Sequence, residues 1–172
     1  MSPVKIVNGT YQMYLPSDSV RSDDTQFFSP SPDLTLTIPS TSRKVITVGA
    51  YNSIYNAYAD FSGRGQNVPS EISIANPEYK PDLVAPGVRL LAPVPGGTYA
   101  EVTGTSFSTP VVSGSVALMM EWGIVQGNDP YLYGEKVKAY LMRGAKPLPG
   151  FSKYPDSQIG WGALCVKDSL PT

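Results

Sequence analysis

The stretch GTSFSTPVVSGSVALMMEW, from Gly104 to Trp122, decides the fold of this chain. From Ser106 onward almost every residue is apolar or small, with Pro110 in the first turn and Glu121 as the charged residue near its end. Proline is tolerated there because the amides of a first helical turn have no partner within the helix. A helix that is apolar all round has no face for water, so the pattern predicts a helix through the middle of a larger domain.

Two strands of the buried type are predicted upstream of this helix. Lys44–Ala50 reads KVITVGA, and Lys80–Gly87 reads KPDLVAPG, a short apolar run bracketed by prolines. Continuous apolar runs of this length are typical of parallel strands covered on both faces. A second helix is predicted over Gly134–Arg143, where charged side chains fall on one side and apolar ones on the other. Three further segments are predicted to be extended: Leu34–Ile38, Tyr99–Thr103 and Gly160–Val166.

The beginning of the chain has a different character. Val4–Val7 and Thr10–Leu15 are rich in β-branched and aromatic residues and flank Asn8-Gly9, a strong signal for a tight hairpin. From Pro16 to Pro32 the composition turns to Ser, Asp and Pro, which indicates an extended loop. The chain is therefore predicted to begin inside a β-rich element.

Charge and hydropathy exclude two classes of partner. The chain has 13 basic and 14 acidic residues, so it offers no positive surface for nucleic acid or for an anionic membrane. It contains no apolar run of the roughly 20 residues that a membrane span needs, and no basic stretch followed by an apolar one at its start. We expect neither a nucleic-acid nor a membrane partner, and no signal peptide or membrane span in this chain; its cellular location stays undetermined.

The residue types that are absent limit the chemistry. The sequence contains no histidine, so the commonest general base near neutral pH and the commonest ligand of catalytic zinc are both missing. Any histidine-dependent reaction then needs another polypeptide. We expect no metal and no cofactor. The single cysteine, Cys165, excludes an internal disulfide and is interpreted as a small buried apolar residue.

Ser106 is the candidate nucleophile. It stands between the glycine-bearing turn at Gly104 and the start of the apolar helix. A helix N-terminus offers free N–H groups and a partial positive charge, which favour the oxyanion formed when a serine attacks a carbonyl. The alternative is that Ser106 is only the N-cap of the helix and that the glycines only shape the turn.

Four motifs, in order, resemble those of the subtilase family. GTSFSTPVVSG resembles the nucleophile signature of the family, and KPDLVAPG resembles the strand and turn before it. KVITVGAYN followed by FSGRG at Phe61–Gly65, and the closing GWGALCV, are similar to further family segments. The resemblance implies the C-terminal part of a three-layer α/β subtilisin-like fold with a mainly parallel sheet. It implies a serine endopeptidase in which Ser106 attacks and its backbone N–H is one oxyanion donor.

The first 40 residues do not fit a minimal subtilase. They resemble the end of a β-rich insertion found in the clostridial germination proteases and related bacterial subtilases. We therefore expect residues 1–40 to be the end of that insertion with a linker, and residues 41–172 to be the C-terminal part of the peptidase domain. Within the nucleophile signature, Phe107, Ser108 and Val111 stand where the family usually has methionine, alanine and histidine.

The resemblance also implies what this chain lacks. In subtilases the catalytic aspartate and histidine and the oxyanion asparagine lie N-terminal to the serine, and no residue here matches their motifs. Lys80 and Asp82 belong to the strand signature and are not expected to be substitute bases. Lys80 is interpreted as a solvated or loop-anchoring charge, and Asp82 as a residue that holds a turn or cap through backbone bonds. The isolated chain is therefore expected to be inactive, and residues that bind substrate are left unassigned.

Three functions follow from these observations. The first is a serine endopeptidase acting on a protein or peptide, with the missing N-terminal part of the domain or self-association covering apolar faces that this piece leaves open. The second is a pseudoprotease that binds or regulates. The third is a non-enzymatic interaction module, which a fully buried Ser106 would favour.

Overall fold

The computed structural model describes residues 12–16, 20–22, 24–65 and 79–171. The chain divides into two compact units, Met1–Ser31 and Pro32–Thr172. The described residues of the first unit contain no α-helix or β-strand, and the hairpin predicted at Asn8-Gly9 lies outside the described residues.

All named elements belong to the second unit. In chain order they are β1 (Val48–Asn52), β2 (Ala57–Tyr58), β3 (Leu83–Pro86), β4 (Leu90–Val94), β5 (Thr98–Val102), α1 (Thr105–Met120), a π-helical turn (Glu121–Val125), α2 (Gly134–Gly144) and α3 (Val166–Ser169).

The central sheet has the order β2-β1-β3. Strands β1 and β3 run parallel, with Val48 opposite Leu83, and β2 pairs antiparallel with the end of β1. On the other side of β3, Ala163 forms a parallel bridge with Val84. The two buried strands predicted from KVITVGA and KPDLVAPG are therefore adjacent and parallel, as the α/β prediction requires. A separate two-stranded antiparallel sheet, β4-β5, leads into α1.

Strand β3 is buried on both faces, which explains its uninterrupted apolar sequence. Leu83 and Ala85 point into a core shared with α1 and α2, whose other buried members include Val112, Met119 and Leu141. Val84 points to the opposite face, where it packs against Leu148, Ile159 and Ala163 from the C-terminal segment. Alternate side chains of a strand face opposite sides, so this single strand joins both cores.

Helix α1 packs against β1 and β3 through one face only. Its buried residues are Ser108, Val112, Ser115 and Met119, spaced by four, three and four residues as one face of a helix requires. Leu118 and Met120 on the rest of the helix are 63% and 39% exposed. The described residues therefore cover α1 on one side and leave apolar side chains exposed elsewhere on it, as expected for a piece of a larger domain; burial of the helix all round in that larger domain stays a prediction.

Several boundaries differ from the sequence prediction. Leu34–Ile38 forms no strand: Leu34 has a positive φ of 59°, and the N–H of Ser40 closes a turn on the carbonyl of Thr37. In the segment GWGALCV, only Ala163 takes part in a bridge to β3, and α3 begins at Val166. Strand β4 was not predicted, since the prolines of LLAPVP obscure its pattern, although its partner β5 was.

Candidate active site

Ser106 is the second residue of α1, and its side chain is exposed. The cap position of the helix is occupied by Gly104, so the interpretation of Ser106 as an N-cap is wrong. No residue within the described ranges forms a hydrogen bond with the Ser106 hydroxyl or accepts one from its backbone N–H. Both groups are therefore available to a substrate.

The turn before Ser106 depends on glycine. Gly104 has φ 152° and ψ 157°, a conformation that residues with a Cβ rarely adopt. Its N–H donates to the carbonyl of Gly87, 2.8 Å away, just beyond β3. Its own carbonyl accepts from the N–H of Phe107 at 3.0 Å, which closes the first turn of the helix. The chain thus turns into α1 at Gly104, beside the end of β3, and Ser106 follows two residues later.

An open cavity of about 830 Å³ lies in front of Ser106. On the helix side it is lined by Thr105, Ser106 and Thr109. It is also lined by residues 45–48, which enter β1, by residues 60–64, which follow β2, and by six residues of segment 32–40. The cavity is large enough for a peptide side chain or for a further structural segment.

The electrostatics around Ser106 favour an anion. The first turn of α1 contains no acidic residue, so no side-chain charge there opposes the partial positive charge of the helix N-terminus. Among the described residues that line the cavity, the charged ones are Asp60 and Arg64. Arg64 Nε donates to the Tyr58 hydroxyl at 3.3 Å, and its guanidinium carbon lies 5.2 Å from the centre of that ring. Burial raises the pKa of Tyr58, and Arg64 partly offsets this rise.

Lys80 and Asp82 are committed to the fold. Lys80 Nζ donates to Asp82 Oδ2 and to the carbonyl of Val45, both at 2.8 Å, and both side chains are buried. Burial lowers the pKa of Lys80, while Asp82 opposes that shift. Neither residue lines the cavity in front of Ser106. Lys80 therefore anchors the segment before β1, and its interpretation as a solvated charge is wrong because its side chain is buried.

The described residues contain no cluster of three metal-ligating side chains. No helix in the part of the chain that the structure describes has the length and apolarity to span a bilayer.

The sequence did not predict the hydrogen bond of Ser108 or the place of Arg64 beside the cavity. Ser108 was interpreted as a small residue that lets the helix pack tightly and that could alter substrate access at the nucleophile turn. It is fully buried, so it packs against the sheet as expected, and it donates to the carbonyl of Ala85, a hydrogen bond that the sequence did not predict. Arg64 belongs to the FSGRG motif and lines the cavity. A small polar residue on the apolar face of a helix was the available signal for Ser108. Phe107 and Val111, the other two departures, are half-buried.

Comparison with known proteins gives consistent matches. The profile described as "Subtilase family" matches residues 19–162. The chain is 30% identical over 158 residues to the serine protease AprX of Bacillus subtilis, which covers 80% of this chain and 32% of AprX. It is 36% identical over 113 residues to an intracellular serine protease of Paenibacillus polymyxa, which covers 63% of this chain and 30% of that protein.

A solved structure extends the likeness to three dimensions. The CspB protease of Clostridium perfringens superposes with a TM-score of 0.76 at 43% sequence identity, covering 84% of this chain and 29% of CspB. The chain therefore spans about a third of the length of these relatives.

Proposed function

This chain belongs to the subtilase family and has part of its subtilisin-like α/β fold, and we propose that it supplies the nucleophile of a serine endopeptidase acting on a protein or peptide. The observation that carries the proposal is the state of Ser106. Its hydroxyl and backbone N–H are free of described partners at the start of α1, and Ser106 is one of the residues that line an open cavity.

The proposed step is acyl transfer. Ser106 Oγ attacks the carbonyl carbon of the scissile bond, and its proton passes to a general base as the C–O bond forms. The negative charge that develops on the carbonyl oxygen is stabilised by the N–H of Ser106 at the positive end of α1. The base then returns the proton to the leaving amine, and water releases the acyl group.

The base has to come from outside these 172 residues, since they contain no histidine. A serine hydroxyl without an adjacent base stays protonated at neutral pH and is a weak nucleophile. We propose that a segment with the rest of the peptidase fold carries the histidine, its aspartate and a second oxyanion donor. The isolated chain is then inactive.

The open side of α1 supports the docking of such a segment. Leu118 and Met120 on this helix are exposed, as are Ile124 and Val125 in the π-helical turn that follows. Exposed apolar side chains along one helix are typical of a surface that another element covers. The chain covers only 32% of AprX and 29% of CspB, so a further part of the same domain is the proposed occupant. A second copy of this chain is the alternative.

The outer edge of β1 also supports the docking of a further segment. Ala50 donates its N–H to Ser62 Oγ at 3.0 Å and accepts from the N–H of Ala59 at 3.3 Å, on the side away from β3. Backbone groups along a strand point alternately to its two sides, so those of Val48 point the same way. No described residue bonds to them, and Val48 lines the cavity. An unpaired edge of this kind accepts another strand.

Hydrolysis of fluorescein-labelled casein by the complete polypeptide that carries this chain tests the proposal. Ser106→Ala is expected to reduce kcat about 10⁶-fold, the scale of serine loss in a subtilisin. The same change is expected to leave the thermal midpoint unaltered, since Ser106 makes no described side-chain bond. Thr109→Ala, on the same side of the helix, is the matched control for a change in the cavity wall. The 172-residue chain alone is expected to release no fluorescein.

Two outcomes contradict the proposal. If the complete polypeptide carries another residue in place of the histidine and does not cleave casein, the pseudoprotease is the better reading. If it cleaves casein equally well with Ser106→Ala, the nucleophile lies elsewhere and this chain acts as a binding module.

A further inference from the structure

Ser108 stands out among the hydroxyl side chains of α1. Thr109, Ser113 and Ser115 each donate to a carbonyl four residues earlier in the same helix. Ser108 is fully buried and instead donates to the carbonyl of Ala85 in β3, 3.2 Å away. Among the described residues, it is the side chain through which the first turn of α1 is hydrogen-bonded to the sheet.

Two hydrogen bonds among the described residues join this part of the chain to the end of β3. The N–H of Gly104 donates to the carbonyl of Gly87 at 2.8 Å, and the hydroxyl of Ser108 donates to Ala85. Both acceptors lie at the carboxyl end of β3, two residues apart. Ser106 lies two residues from each donor, so it is held from both sides along the chain.

The packing leaves the Ser108 hydroxyl little freedom. A Cβ placed on Gly87 would come within 2.3 Å of Ser108 Oγ and within 2.8 Å of Ala50 Cβ. Strand β1, the turn after β3 and the first turn of α1 therefore meet at this point without spare volume. If the first turn of α1 moved, the buried Ser108 hydroxyl would lose its acceptor where solvent does not reach. The bond to Ala85 therefore favours one position of that turn.

We propose that Ser108 is a positioning residue, whose hydroxyl holds the first turn of α1 against β3 and so sets the place of the Ser106 nucleophile. The proposal rests on the proposed function of Ser106. The Ser108 hydroxyl is expected to affect the rate at which Ser106 attacks, because a misplacement of about 1 Å can reduce an enzymatic rate about 10²-fold. Substrate binding involves other surfaces and is expected to be unaffected.

Two substitutions in the complete polypeptide test this role. Ser108→Ala removes the hydroxyl, and Ser108→Cys keeps a group in its place that donates only weakly. Active sites are first counted by titration with a fluorophosphonate probe, and kcat and KM for labelled casein are then expressed per titrated site. Ser115→Ala is the matched control, since it removes another buried hydroxyl from the same face of α1.

Both Ser108 variants are expected to lower kcat per titrated site about tenfold, within the range that small misplacements produce, with KM unchanged. Ser115→Ala is expected to leave both constants within about twofold, because its bond lies inside the helix. A purely structural role of Ser108 would lower the number of titrated sites and leave kcat per site intact, which overturns the proposal. If Ser108→Ala fails to fold, Ser108→Cys decides by the same measurement.

The control Ser106→Ala separates this proposal from the proposed function. If Ser106→Ala abolishes cleavage while both Ser108 variants keep the parental kcat, the positioning role is wrong and the nucleophile stands. If Ser106→Ala leaves cleavage intact, the proposed function itself fails.

Discussion

Asp82 and Lys138 form a buried ion pair, with 2.9 Å between Oδ1 and Nζ, that joins the start of β3 to α2. The other carboxylate oxygen of Asp82 accepts from Lys80 Nζ at 2.8 Å and from the N–H of Thr47 at 2.6 Å. Lys138 Nζ also donates to the carbonyl of Arg43 at 2.9 Å. One carboxylate thus connects the segment before β1, the segment before β3 and a helix.

Replacing Asp82 by alanine is expected to lower the free energy of unfolding by about 3–5 kcal/mol, since it leaves the buried Lys80 and the largely buried Lys138 without their counter-charge. Urea unfolding followed by circular dichroism measures the change. Asp168→Ala, which breaks the more exposed pair with Lys146, is the matched control and is expected to cost at most about 1 kcal/mol. Equal effects of the two substitutions would contradict a special role for the buried network.

Gly87→Ala is expected to destabilise the protein by about 1–3 kcal/mol, because the added methyl group overlaps Ser108 Oγ and Ala50 Cβ. It is also expected to lower proteolytic activity, since the turn that carries Ser106 has to shift. Gly134→Ala provides the control, as a Cβ there meets nothing within 4 Å. Thermal unfolding and casein hydrolysis on the same samples check both effects. An active Gly87→Ala protein of parental stability would show that the turn tolerates displacement.

Leu118→Glu is expected to weaken association with the remaining part of the peptidase fold at least tenfold, because it places a charge on the open apolar side of α1. Titration of the separately expressed parts by analytical ultracentrifugation measures the dissociation constant. Leu91→Glu, on a leucine of β4 that is 73% exposed, tests whether any added charge has this effect. If the 172-residue chain is monomeric and unfolds cooperatively by itself, the open side needs no occupant.

The pair formed by Asp129 and Lys136 predicts a pH dependence. Lys136 Nζ lies 2.6 Å from Asp129 Oδ1, and the Tyr140 hydroxyl donates to Oδ2 at 3.0 Å. The hydrogen bond from Lys136 lowers the pKa of Asp129, and the same bond raises the pKa of Lys136. The contribution of Asp129 to the free energy of unfolding is therefore fully present above its unfolded pKa of about 3.9. It is lost as the pH falls through the lower folded pKa. The Lys136 contribution is present below its unfolded pKa of about 10.4 and is lost as the pH rises through the higher folded pKa.

Lys136→Met is expected to lower the thermal midpoint near pH 7 and to flatten its decline in acid and at high pH. Midpoints measured from pH 2 to pH 11 test this, with Lys153→Met at an exposed lysine as the control. If the thermal midpoint falls with pH equally steeply in acid for Lys136→Met and for the parent protein, the ionisation of this pair is not coupled to folding.

The fold could be predicted where the pattern is local. The apolar runs before Gly87 and after Ser106 predicted β3 and α1 at nearly their true places, because burial and periodicity act within each segment. The alternation in Leu34–Ile38 predicted a strand that does not form. No described strand pairs with this segment: Leu34 and Thr35 donate to the carbonyls of Gly65 and Arg64 in a loop, and the carbonyl of Thr37 accepts from Ser40 in a turn. The alternation of apolar and polar residues along a segment does not show whether a partner strand is present.

By itself the sequence determined the family, the parallel pair of strands and the place of Ser106 at the beginning of a helix, since motifs and hydrophobic patterns are short-range properties of the chain. Only the tertiary structure decided that Ser108 is bonded to Ala85, that Asp82 meets Lys138, and that α1 is covered on one side. Each of these depends on residues far apart in the chain that meet only after the strands and helices pack. Their hydrogen bonds and burial are therefore properties of the assembled fold and not of any one segment.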